Sequence, residues 1–196
     1  MSATRFVREL PAGRTHLDQL AAPLGALYGE TERLSRWGRE LAGVLLGGGR
    51  LLAIGNGGSA CQAQHLTAEI VGRYRDDRPP FAALALCTET PALTAIGNDY
   101  GIEELFARQV RGHGRAGDML IALSTSGRSP NIVGAVEAAR EIGVTTRALT
   151  GPPGNPLADV ADDALCIESP HTATVQELHL VAIHLLCAAF DVEVGL

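Results

Sequence analysis

The sequence predicts an α/β protein: a doubly wound, five-stranded parallel sheet with helices on both faces, preceded by an N-terminal helical extension. Three observations predict it. Strand-like and helix-like segments alternate from about residue 50 onward. The strand-like segments are near-continuous apolar runs, as strands buried on both faces must be. Glycine- or serine-rich turns follow the first and third runs, where a parallel sheet binds its ligands. The expected division is a helical region over 1–48 and the α/β domain over 49–196.

Residues 16–48 read as one or two helices, with Leu17, Leu20, Leu24, Leu27, Leu34, Trp37, Leu41 and Val44 at three- and four-residue spacings. Pro23 is expected to break or kink the first part, and "GGG" at 47–49 to end the second. "RLLAIG" (50–55) is the first strand, followed by a helix over 59–73. "FAALALC" (81–87) is the second strand. Residues 89–113 hold one or two helices interrupted by "GNDYG" (97–101), for which an ordinary turn is one reading. "DMLIALS" (118–124) is the third strand and 129–142 its helix. "VTTRALT" (144–150) is the fourth, "GPPGNP" (151–156) a loop, "DALCIES" (163–169) the fifth, and 173–191 a long closing helix. The loops at 55–59, 87–90 and 124–129 are the candidate site.

Composition narrows the function. Hydrophobic residues make up 46%, enough for a sizeable core. No run of ~18 apolar residues suggests a membrane span, and the N-terminal stretch lacks a leader's apolar centre, so a cytoplasmic protein is expected. Sixteen basic residues against 22 acidic ones argue against nucleic acid as a partner. All the basic residues are arginine; the absence of lysine disfavours Schiff-base and Walker-type phosphate chemistry. Cys61, Cys87, Cys166 and Cys187 form no C-x-x-C pair and read as reduced packing residues.

"LSTSGRSPN" (123–131) follows the third strand and opens a helix. Ser124, Thr125, Ser126 and Ser129 offer hydroxyls where helix N–H groups favour an anion; the alternative is a serine N-cap. "GNGGS" (55–59) makes a similar turn. Ala60 stands where a dinucleotide loop has its last glycine, and no acidic residue ends the second strand. Asn56 and Ser59 are better placed for sugar hydroxyls. His65 and Glu69 share a helix face, and alone read first as a solvated pair. Gln176 and His184 lie ~80° apart on the closing helix, where His184 also suits a packed core. Asn98 and Asp99 sit between glycines, and Arg73 reads as a surface residue or a phosphate clamp.

Together "GNGGSACQAQH", "AEIVGRY", "LTAIGNDYG", "LSTSGRSPN" and "VQELHLVAIH" resemble the sugar isomerase (SIS) domain, and more narrowly the bacterial phosphoheptose isomerases, over about residues 20–190. The resemblance implies a flavodoxin-like SIS fold and conversion of sedoheptulose 7-phosphate to D-glycero-manno-heptose 7-phosphate, in nucleotide-activated heptose biosynthesis. It also implies a homotetramer with active sites at subunit interfaces. It assigns the phosphate to Ser124, Thr125, Ser126 and Ser129. Asn56, Gly57, Gly58, Ser59, Asn98, Asp99, Arg73 and Gln176 would line the substrate. Glu69 and His184 would be the acid/base pair, and His65, Glu69, Gln176 and His184 would coordinate Zn2+. The run "HTATVQELH" departs from the family, with Thr174 and Val175 before Gln176. A related non-catalytic branch binds the replication initiator, but there the carboxylate and the closing-helix histidine tend to be absent. A sugar-phosphate sensor fused to a DNA-binding helix pair would need a recognition helix that residues 1–50 lack.

Overall fold

The computed structural model describes residues 12–195. The first eleven residues, where the leader was sought, lie outside the described residues, as does Leu196. α1 (Ala12–Ala26) passes through a 3-10 turn (Leu27–Glu30) into α2 (Thr31–Leu46). Pro23 sits inside the last turn of α1 instead of ending it; having no N–H, it leaves the carbonyl four residues back without its helical donor.

β1 (Leu51–Gly55), β2 (Ala83–Ala85), β3 (Met119–Ser124), β4 (Thr145–Thr150) and β5 (Asp163–Cys166) form one parallel sheet in the order β2-β1-β3-β4-β5. Between them run α3 (Gly58–Val71), α4 (Thr90–Tyr100), α5 (Ala107–His113), α6 (Pro130–Glu141) and α7 (Pro156–Val160), and α8 (Thr172–Glu193) closes the chain. Alternate strand residues face opposite layers. Leu51, Ala53, Met119, Ile121 and Leu123 pack under α2, α3 and α8, whereas Leu52, Ile54, Leu120, Ala122 and Ala148 pack under α4–α7.

Leu34, Trp37, Leu41 and Leu45 of α2 belong to the same core as Leu178, Ile183 and Phe190 of α8. The boundary at 48/49 therefore marks a change from helices to alternating elements, not a break in the core. α8 is long and apolar enough to cross a membrane by length and composition, yet half of that stretch is buried inside this fold.

Three local expectations change. β2 keeps only three residues, because an edge strand has one neighbour to bond. "GNDYG" is no turn: α4 runs through Asn98, Asp99 and Tyr100 and stops at Gly101, whose φ is 93°. The loop after β4 gives way to α7, capped by Asn155, whose side chain accepts from the Ala158 N–H.

Candidate active site

The strand order reverses between β1 and β3, so the crevice opens there, past Gly55 and Ser124. Two loops form its floor. Asn56 and Asn131 join them by a reciprocal amide pair, 2.9 and 3.0 Å long. Both side-chain ends of Asn56 are therefore committed to α6, and Asn131 is a site residue that no sequence spacing indicated. Ser59 is buried beneath the loop. Gly57 and Gly58 remain exposed at the start of α3.

The serine loop is held from below. Ser124 is buried; its hydroxyl accepts from the Gly127 N–H at 3.1 Å and lies 3.4 Å from the Ser129 hydroxyl. Ser126 accepts from the Arg128 N–H at 3.2 Å. Ser129 occupies the N-cap position of α6 but makes no side-chain cap bond, so the capping alternative fails for its hydroxyl. Gly127 has a φ of 63°, and a Cβ there would run into the Asn155 amide and the Thr150 hydroxyl. Thr125, Ser126 and Arg128 line a cavity of about 320 Å³ with Ser169 and Thr172. Arg128 was readable as a cation in a hydroxyl-rich loop, yet composition drew attention only to the serines.

Further along α3 lies a second group. The His65 Nε2 is 3.0 Å from the His184 Nε2 and 3.2 Å from the Glu69 Oε1. Among the described residues, these three form the one group of His, Cys, Asp or Glu with metal-binding proximity, their donor atoms all within 4.8 Å of one another. The other Glu69 oxygen, Oε2, is buried and has no hydrogen-bond partner. Burial, reinforced by the neighbouring His65, pushes the pKa of His184 below the ordinary histidine value against the pull of Glu69. Its imidazole is therefore neutral at pH 7. The Tyr74 ring leans on His184 at 5.4 Å, a contact made through the chain past α3 and invisible to spacing.

This donor set fits a zinc ion. Two nitrogens or oxygens bound tetrahedrally at about 2.0–2.1 Å stand about 3.3 Å apart, close to the two separations seen. A carboxylate with an unpartnered oxygen beside two imidazoles is also what a cation would satisfy. Gln176 is placed elsewhere: its amide rests against Gly58, seven residues or ~10 Å along α3 from His65.

The remaining predicted residues stand apart within one chain. Asn98 and Asp99 bond each other at 2.7 Å and are exposed on α4, in the layer opposite α3. Arg73 is exposed just past α3, where it donates to the Arg75 carbonyl.

Comparison with known proteins agrees with this geometry. Residues 17–151 match the SIS domain family model. The phosphoheptose isomerase of Streptomyces coelicolor is 62% identical over 176 residues, covering 90% of this chain and 76% of that protein. The structure of a phosphoheptose isomerase from Neisseria gonorrhoeae superposes with a TM-score of 0.84 at 40% identity, covering 92% of this chain and 97% of that one. One from Francisella tularensis gives 0.82 at 32% identity, covering 93% and 99%. The chain belongs to the SIS-domain family and, within it, to the phosphoheptose isomerases.

Proposed function

We propose that the chain is an aldose–ketose isomerase that interconverts sedoheptulose 7-phosphate and D-glycero-manno-heptose 7-phosphate in heptose biosynthesis. The observation that carries this reading is the meeting of Glu69, with one buried and unpartnered oxygen, with two imidazoles. The reaction moves a proton between C1 and C2 through an enediol. A carboxylate must take and return that carbon-bound proton, and a neutral acid/base must relay the hydroxyl proton. Glu69 takes the first role, and His184 the second. The serine loop and the N-terminus of α6 hold the phosphate.

His65, Glu69 and His184 would hold zinc; Gln176, which the family resemblance implies as a fourth ligand, rests its amide against Gly58 and would have to turn away from it to join them. When bound, the ion supplies a Lewis acid for the oxyanion at the substrate carbonyl.

The proposal includes a cytoplasmic homotetramer with sites between subunits. Asn98, Asp99 and Arg73, exposed and apart from the rest, are then available to a neighbouring site. Leu24, Tyr28, Val181 and Leu185 line an apolar groove of about 420 Å³ that suits a subunit contact.

The test is aldose formation from sedoheptulose 7-phosphate by the purified protein, with and without added zinc. Glu69→Gln and His184→Gln are each expected to lower kcat by about 10²–10⁴-fold. No turnover by the parent under either condition refutes the isomerase reading.

A further inference from the structure

We propose that Arg78, in the segment between α3 and β2, is a positioning residue for Glu69; the role rests on the isomerase reading above. The Arg78 side chain is only 1% exposed. Its Nη2 donates to the Glu69 carbonyl at 2.6 Å, and its Nη1 to the carbonyls of Ile70 at 2.9 Å and Pro79 at 3.2 Å. Its Nε donates to the Asp191 Oδ1 of α8 at 2.9 Å. The guanidinium carbon lies 5.5 Å from the Phe81 ring and 5.1 Å from the Phe190 ring, and those rings meet edge to face.

The last carbonyls of a helix have no intrahelical partner, and a cation there also meets the negative end of the helix dipole. Arg78 supplies both functions at α3. The same fork reaches Asp191, seven residues after His184 on α8. One guanidinium thus ties the backbone of the residue bearing the carboxylate to the helix bearing the imidazole. Glu69 needs this support because its Oε2 has no partner. With one oxygen unheld, the backbone largely decides where that oxygen points. Lysine cannot replace the fork, since an ammonium is a compact point charge without the planar spread of donors.

The experiment compares Arg78→Lys, Asp191→Asn and a control, Arg147→Lys. Arg147 also pairs with a carboxylate (Glu40) at low exposure, but it joins β4 to α2, away from the histidines. Steady-state kinetics with sedoheptulose 7-phosphate and amide hydrogen exchange over 66–74 are measured on each full-length variant. Misplacing a catalytic group by about 1 Å loses about 100-fold in rate. Arg78→Lys is therefore expected to lower kcat by about 10–100-fold with KM within about 3-fold, and to speed exchange at the end of α3. Asp191→Asn moves both readouts in the same direction by less. Arg147→Lys lowers the melting temperature without moving kcat. A kcat for Arg78→Lys within about 2-fold of the parent, or a loss matched by the control, overturns the proposal. If Arg78→Lys does not fold, Asp191→Asn decides on the same criterion. If the parent itself does not isomerise the sugar, the isomerase reading fails, and unchanged exchange at α3 then overturns the clamp separately.

Discussion

His179 makes the fold sensitive to acid by an amount that can be worked out. It is fully buried on α8, with its Nε2 3.2 Å from the Thr150 carbonyl. Its Nδ1 is buried without a partner. Nε2 must carry the proton to serve that carbonyl, so the ring is neutral. Burial lowers its pKa from 6.5 to about 4, against the upward pull of the Thr150 carbonyl. The unfolded chain therefore binds a proton between about pH 6.5 and 4 that the folded chain refuses. The associated stability is fully present above pH 6.5 and is lost as pH falls, at about 1.4 kcal/mol per unit. That amounts to about 2 kcal/mol by pH 5 and about 3 kcal/mol by pH 4. His179→Gln keeps a donor for Thr150 and does not titrate. In thermal melts from pH 7.5 to 4, the parent should lose about 2–4 °C more than the variant for each kcal/mol. All other titrating groups are shared, so the difference isolates one ring. A gap between the two that stays constant with pH refutes the reasoning.

Two further perturbations follow from the packing. Asn155→Ala removes the cap of α7, about 1 kcal/mol. It also removes the amide beneath Gly127, so KM for the sugar phosphate and the inhibition constant for inorganic phosphate should both rise while kcat changes little. Trp37→Phe removes the indole N–H that reaches Asp163 at 2.8 Å. Burial would raise the Asp163 pKa, but Trp37 and Arg36 outweigh it and hold it below the ordinary carboxylate value. A depressed carboxylate stabilises the fold above its unfolded pKa of about 3.9 and stops doing so as pH falls below it. The variant should thus lose about 1–2 kcal/mol in urea melts at pH 7, and the loss should shrink below pH 4.

Much of the fold was legible because its signals are local. β1 and β3 are apolar runs closed by Gly55 and Ser124, and α2 repeats its apolar residues at helical spacing. The errors arose where tertiary context overrides local chemistry. Asn98 and Asp99 look like turn residues, but burial of Ile96 draws α4 past them to Gly101. Asn155-Pro156 was in fact a helix start, an N-cap followed by proline at the first helical position, hidden among prolines and glycines.

At the site, spacing alone put His65 and Glu69 on one face. Their meeting with His184 depends on how α3 packs against α8, which no spacing on either helix encodes. For the same reason Gln176, eight residues before His184, came to rest on Gly58 instead of with the histidines. Asn131, Tyr74 and Arg78 are long-range partners and left no local trace.

The amide pair between Asn56 and Asn131 decides where this molecule can yield. The loop after β1 cannot lift from α6 without breaking two hydrogen bonds together, and the buried Asn131 would then be left without its partner. The base of the crevice therefore behaves as a tie beam. Accommodation of an incoming sugar falls to the rim, where Ser126, Arg128 and the 152–154 turn are exposed. These exposed groups are distinct from those that the isomerase reading assigns to moving the proton.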